Sequence, residues 1–410
     1  MTESPHHALP TTGTERIIAL DVLRGFAVLG ILVMNIQSFS MIESAYLNPS
    51  AWGDLTGLNF ITWATGHLLA DTKFMGLFSM LFGAGIVLFA ERLEQRGQRP
   101  GPMHYRRIFW LWVIGLIHAY FFWHGDILVG YAACAVTVYL FRKRRPTTLL
   151  ILGFLSLLIP SLIMGGLTMA LPHMPADAMA EQELYWQPNA EMIAEELAVY
   201  RGGFLGQIPH RLESSLSFQL FVFWVYTAWR AGGLMLIGMA LFKTGVLTGQ
   251  RSSRFYRLML GIGLLIGVPV IILGIRYNTM VEWDMARAWF TGGLFNAWGS
   301  LGIIAAYVGL IMLLVRSTVL PGLQSRLATV GRMAFTNYLG QTLICTLIFY
   351  GHGLGLFCKM ERWQQMLIVL AIWALQLWLS PLWLRYFRFG PMEWAWRSLT
   401  YWQLQPMRRV

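Results

Sequence analysis

Long apolar runs, separated by short polar joints, organise this chain from residue 17 to residue 387. They lie near 17–39, 60–90, 106–123, 126–141, 147–171, 216–242, 255–275, 289–315, 327–350 and 364–387. A helix needs about 20 apolar residues to cross the hydrocarbon of a bilayer. The pattern therefore predicts an all-α, polytopic bundle of about ten transmembrane helices. The second run is long, and Gly76, Gly83 and Gly85 within it predict a tilt or a break. The third and fourth runs are short and joined tightly by "WHGD", which predicts a helical hairpin.

The polar joints alternate in charge. Residues 40–59 hold Glu43 and Asp54 and no Lys or Arg, whereas "ERLEQRGQRPGPMHYRR" is rich in Arg. "WHGD" is again free of Lys and Arg, and "RKRRP" follows the fourth run. Residues 172–215 are mostly acidic, 243–257 are basic, and the C-terminal end is basic. Cytoplasmic loops carry the Lys/Arg excess, so this alternation predicts that both termini are cytoplasmic. The same alternation explains the formal charge of +11 in a chain that is 56% hydrophobic and 12% charged. It gives no continuous basic groove for nucleic acid.

The predicted organisation is a polar N-terminal tail (1–16), an N-terminal membrane half (17–171), an outer segment (172–215), a C-terminal membrane half (216–390) and an interfacial tail (391–410). The first 16 residues contain no apolar core of a cleaved signal peptide, and His6 and His7 are expected to be solvated. In the outer segment, Asn189 is a helix N-cap candidate and Gly202–Gly203 a stop. Met192, Ile193, Leu197 and Tyr200 recur at helical spacing between them, so this helix is expected to pack across the span ends or to form a lid. The tail mixes Trp394, Trp396, Tyr401 and Trp402 with arginines, as an interfacial anchor does. Cys134, Cys345 and Cys358 have no paired spacing, which predicts neither a disulfide framework nor a zinc site, and no metal site is expected.

Ionisable groups inside apolar runs are costly, which makes them the candidate functional residues. Asp21 and Arg24 share a face of the first span. Asn35 lies 11 residues beyond Arg24, which at about 100° per residue returns to nearly the same stripe. His67 and Asp71 stand at i, i+4 in the second span, where a carboxylate can orient an imidazole, and Lys73 follows. His118 ends the third run and Asp126 opens the fourth, the pair a general base requires if the fold brings them together. Asn337 and Gln341, one turn apart in the ninth run, either hydrogen-bond neighbouring helices or line a polar path. No nucleotide-binding loop, haem motif or metalloprotease motif occurs in a fitting context, and no tightly bound cofactor is expected.

"LDVLRGFAVLGILVMNI", "FSMLFGAGI", "GLIHAYFFWHGDILVGY", "GRMAFTNYLGQTLICTLIFY" and "RYFRFGPMEWAWRSLT" resemble, end to end, the YeiB family of bacterial inner-membrane proteins, which carry domain of unknown function 418. "LDVLRG" at the head of a first span is more distantly similar to membrane acyltransferases. Those enzymes move acyl groups from cytoplasmic acyl-CoA to acceptors such as sugars. In the bacterial type, an Arg is followed after ten residues by a His; here Arg24 matches and Asn35 stands at the His position. The resemblance implies acyl-CoA as co-substrate and a glycan or lipid acceptor in the envelope. No His lies between 36 and 66, so the essential imidazole of such an enzyme is expected at His67, His118 or His124. The leading reading of these residues puts His118, Asp126 and Asn35 in catalysis, and Arg24, Lys73, His67, Asp71, Asn337 and Gln341 in substrate binding. Two other classes remain open: a transporter or flippase for a polar or lipid-linked solute, and a non-catalytic membrane scaffold.

Overall fold

The structure is a computed structural model that describes residues 16–409; the expectations for the rest of the N-terminal tail, His6 and His7 included, lie outside the described residues. The elements are α1 (Ile18–Ser40), α2 (Ser44–Leu47), α3 (Gly57–Leu69), α4 (Lys73–Gln95), α5 (Pro100–Ile117) and α6 (Leu128–Val138). Next come α7 (Pro146–Ala170), α8 (Ala176–Trp186), α9 (Ala190–Arg201), α10 (Ile208–Ser217), α11 (Ala228–Lys243) and α12 (Ser253–Met280). The last are α13 (Gly293–Arg316), α14 (Pro321–Arg332), α15 (Ala334–Phe349), α16 (Arg362–Tyr386) and α17 (Pro391–Tyr401). Among the described residues there is no strand beyond one isolated bridge, Phe387 to Arg408.

Among the described residues seven segments, not ten, are long and apolar enough to cross a membrane: Ile18–Ser40, Gly57–Gln95, Pro146–His173, Leu205–Lys243, Ser253–Met280, Ala286–Arg316 and Arg362–Tyr386. The other three expected spans fall short. Leu128–Phe141 and Ala334–Phe349 are shorter apolar helices, and α5 carries His104, Arg106 and Arg107 in its first half. The second segment is interrupted, but not at its glycines. The break is at Ala70–Thr72, where Thr72 adopts φ 61° and α4 restarts.

α1 is the central helix. Leu20, Leu23, Val28, Leu32, Ile36 and Phe39 are buried on several sides of it, and it packs against α4, α13, α14, α15 and α16. A helix that is apolar all round belongs inside a bundle. α7 and α12 are peripheral and expose Phe154, Leu155 and Leu162, and Leu258, Leu265 and Leu273, as lipid-facing helices do. Small residues set the close crossings. Gly83 of α4 has the Met235 carbonyl oxygen 2.0 Å from where a Cβ would stand, and Gly238 of α11 faces the Met80 carbonyl at the same distance.

The loops segregate by end as the charge pattern predicts. At one end Lys243 reaches the Arg144 carbonyl, Arg316 the Gly249 carbonyl and Arg106 the Thr400 carbonyl. At the other, the Cys358 amide donates to Ser40, the Gly351 amide to Tyr200, and Arg362 to Pro49. α9 begins at Asn189, whose side chain accepts from the Met192 amide at 2.9 Å. Its Ile193, Leu197 and Tyr200 pack on the core at this second end.

Gly83→Leu is expected to cost about 1–3 kcal/mol or more, because the opposing contact is backbone and cannot rotate away. Thermal unfolding in detergent reads this directly. Gly165→Leu, where nothing lies within 4 Å, should leave the unfolding temperature almost unchanged.

Candidate functional site

A cavity of about 290 Å³ enters the bundle at the arginine-rich end. Arg16, Arg24, Arg92, Arg96, Arg107, Arg332, Arg388 and Arg397 line it, against the carboxylates Asp21 and Glu393. Asp21 is shared between Arg24 at 3.4 Å and Arg16 at 3.7 Å. Glu393 is occupied at the start of α15, accepting from the Phe335 amide at 2.7 Å and the Thr336 hydroxyl at 2.6 Å. There it offsets the positive end of the helix dipole. The positive surplus therefore stands over the cavity. α17 contributes Glu393, Trp396, Arg397, Thr400 and Tyr401 to this mouth. Trp396 donates to the Arg107 carbonyl at 2.8 Å, the Arg107 guanidinium lies 4.4 Å from the Trp396 ring centroid, and that of Arg397 lies 4.7 Å from the Phe389 centroid. Farther in, the walls are Val28, Ile31, Phe78, Leu81, Phe82 and Tyr131, and the inner end is Ile127 and Tyr338. Clustered guanidiniums suit phosphate oxygens, and the apolar interior suits a chain.

Behind that inner end is a buried polar relay. His118 closes the third run in a π-helical turn, His118–Phe122, and Asp126 precedes α6. His118 Nδ1 lies 3.2 Å from Asp126 Oδ2, and Nε2 lies 2.9 Å from the Thr342 hydroxyl. Asp126 also accepts from the Leu128 and Val129 amides, so it caps α6 while it holds the imidazole. A carboxylate acceptor puts the proton on Nδ1 and leaves Nε2 to accept from Thr342. The Tyr338 ring centroid is 5.4 Å from that of His118, and its hydroxyl accepts from the Ile127 amide at 3.3 Å. His118, Asp126 and Thr342 do not themselves line the cavity; one layer of side chains separates them from it. Thr342 carries no signal in the sequence, because a lone Thr in an apolar helix is commonplace.

The remaining candidates lie elsewhere. Asn35 is half-buried, does not line the arginine cavity, and has no hydrogen-bond partner among the described residues. The stripe expected to join it to Arg24 is interrupted by packed helices. Lys73, His67 and Asp71 also stand apart from Arg24. His67 Nδ1 is 3.0 Å from Asp71 Oδ2, and the Asn296 amide donates to the same oxygen at 2.8 Å. Lys73, fully buried, donates to Asn296 Oδ1 and to the His67 carbonyl. These groups lock the break in the second segment, together with Arg230, which donates to Ser300 and the Ala297 carbonyl. Asn337 and Gln341 hydrogen-bond neighbouring helices. Gln341 donates to the Val28 carbonyl and to Gln376, Gln376 donates to the Asn337 carbonyl, and Asn337 donates to Ser380 and the Val330 carbonyl.

A second polar constellation lies at the opposite end and is invisible to motif reading. Glu43 Oε1 accepts from Tyr200 at 3.1 Å and Ser214 at 3.0 Å, with His210 Nε2 at 3.2 Å and His124 Nδ1 at 3.5 Å. Glu196 of α9 accepts from the Glu43 amide at 2.8 Å. Burial pushes the Glu43 carboxyl up, but the imidazoles and the Ser214 hydroxyl outweigh it and bring it down to about 2. Burial and the neighbouring Glu43 charge raise Glu196 to about 7. His124 is lowered by burial, partly offset by Glu43. The six side chains come from four separate stretches, so no spacing announces them.

Comparison with known proteins gives relatives along almost the whole chain. The family described as "Protein of unknown function (DUF418)" matches residues 241–403. The chain is 34% identical to the uncharacterized protein YeiB of Escherichia coli (strain K12), across 94% of this chain and 96% of that one. It is 33% identical to the uncharacterized protein YxaH of Bacillus subtilis (strain 168), across 98% of both. An uncharacterized 39.9 kDa protein from the amylase 3' region of Bacillus acidopullulyticus is 29% identical across 96% of both.

The Glu196 carboxyl gives a pH prediction. The folded protein keeps a proton there that the unfolded chain releases near its ordinary 4.5. Stability from this group is therefore lost as pH rises from about 4.5 to about 7. His124, whose titration burial lowers, works in the opposite sense over part of the window, so the comparison is with Glu196→Gln. In EDTA-containing detergent buffer, the variant should gain on the wild type in unfolding temperature from pH 5 to about pH 7 and then hold that gain. A pH-independent difference would contradict the raised carboxyl.

Proposed function

The chain belongs to the DUF418 family of YeiB-like multi-pass membrane proteins, and on that premise we propose that it is a membrane acyltransferase. It takes an acyl group from acyl-CoA on the cytoplasmic side and gives it to an acceptor hydroxyl, such as one on an envelope glycan or lipid. The observation that carries this reading is the cavity: a mouth with a guanidinium surplus, leading to an apolar interior that ends one side chain short of a carboxylate-held imidazole. The phosphates of acyl-CoA pair with Arg24, Arg107 and Arg397, and the pantetheine and acyl portions run inward past Phe78 and Tyr131. The arginine-rich end faces the cytoplasm, as the excess of Lys and Arg there favours, and in a bacterium this is the inner membrane.

In the transfer, Tyr338 moves aside and the acceptor hydroxyl takes the place of Thr342 at His118 Nε2. The imidazole removes the hydroxyl proton as the oxygen attacks the thioester carbonyl. The C–O bond forms, the C–S bond breaks, and the leaving thiolate recovers the proton from His118. Asp126 holds the ring and stabilises its charged form. Asn35 and Lys73 have no part in this scheme. The interrupted second segment favours one other reading, transport of an anionic solute, because broken helices commonly bind solutes near the midplane.

Detergent-purified protein should bind a long-chain acyl-CoA, and Arg24→Ala and Arg107→Ala should each weaken binding about tenfold or more, as loss of a charge-assisted contact does. Calorimetry measures this. His118→Ala should leave binding intact and abolish release of free thiol from acyl-CoA in the presence of envelope extract. No acyl-CoA binding by the wild type would defeat the proposal. Solute movement in proteoliposomes without thiol release would favour transport.

A further inference from the structure

The constellation around Glu43 is more than a clasp for α9. Two carboxylates, Glu43 and Glu196, and the His210 imidazole converge at the arginine-poor end, with His124 3.5 Å from Glu43. One ligand atom each from Glu43, Glu196 and His210 lie within 4.8 Å of one another. Donors at about 2.0–2.2 Å from a common ion can stand up to about 4.4 Å apart, so a slight inward turn of one side chain closes the set.

Two details point to a cation. The two carboxylates are drawn together, where both can be ionised only with a cation beside them. And His210 Nε2 has almost no solvent access and no hydrogen bond of good geometry, although Glu43 Oε1 is only 3.2 Å away. The nitrogen pairs with one Glu43 oxygen and stands within 4.8 Å of a Glu196 oxygen, so it is positioned to ligate an ion placed between them. A divalent cation accounts for both details, because its charge balances the two carboxylates and its coordination uses the nitrogen. The Tyr200 and Ser214 hydroxyls, already on Glu43, supply the outer hydrogen bonds that orient a ligating carboxylate.

We propose that Glu43, Glu196 and His210 bind a divalent transition-metal ion of the zinc class, with His124 within reach as a fourth ligand. Mixed imidazole and carboxylate donors suit zinc and cobalt and disfavour calcium, which takes oxygen donors alone. Bound there, the ion ties α9, α10, the hairpin tip and the end of α1 together. The site is independent of the acyltransferase reading.

The test uses the full chain in detergent, stripped with chelator and dialysed, with Zn²⁺ and Co²⁺ as probes. The wild type should take up one Zn²⁺ per chain by elemental analysis, rise in unfolding temperature on Zn²⁺ addition, and give a visible absorption band with Co²⁺. Glu196→Gln and His210→Asn should each weaken Zn²⁺ binding by about 100-fold or more, since each removes a direct ligand. His352→Asn, an imidazole at the same end outside the cluster, should bind as the wild type does. The proposal falls if the wild type shows neither uptake nor a Co²⁺ band. It falls equally if both ligand variants bind Zn²⁺ as tightly as the wild type. The wild-type measurements decide the matter even where a variant fails to fold.

Discussion

Most polar groups that this bundle carries into its apolar interior find their partner within the protein, and that constraint shapes much of the structure. Hydrocarbon offers no hydrogen bonds, so an unpaired amide or charge there costs several kcal/mol. The chain meets the demand with local solutions at each depth. Asn337, Gln341, Gln376 and Ser380 form an amide ladder that ties α15 and α16, with the Val28 carbonyl bringing in α1. Asp71, His67, Lys73 and Asn296 close the broken second segment, and Arg230 does the same beside them. These groups are buried, paired and spent on architecture.

What is left over after that pairing is informative. At the arginine-rich end the guanidiniums outnumber the carboxylates around a cavity, and Glu393 is already engaged at the start of α15. At the other end the imbalance has the opposite sign, with Glu43 and Glu196 side by side among imidazoles. The His118–Asp126 pair lies between these two regions, held by the α6 amides and by Thr342.

Some of the expected site residues and the observed ones part company for a geometric reason. Arg24 and Asn35 do share a helical stripe on α1, but a stripe is a cavity only where no neighbour fills it. Leu32, Ile36 and Phe39, farther along the same helix, are buried against other helices, and the cavity stops near Ile31 and Tyr338. Likewise the glycines of the second segment suggested a break, yet they proved to be contact points: Gly83 rests on the Met235 carbonyl, and the break falls at Thr72.

Hydrophobic period and charge alternation alone determined that the chain is an all-helical membrane bundle, which loops share an end, where α9 starts, and that His118 and Asp126 were worth pairing. These depend on local sequence: a span must be apolar for some 20 residues, and an N-cap is one side chain bonding an amide three residues on. Only tertiary structure decided which polar residues were already consumed by packing. It also decided that Arg107, Arg332, Arg388 and Arg397 converge with Arg24, and that Glu43 meets Glu196 and His210 across some 150 residues or more of chain. Convergence of that kind depends on how helices cross, and side chains distant in sequence carry no mark of the neighbour they will meet.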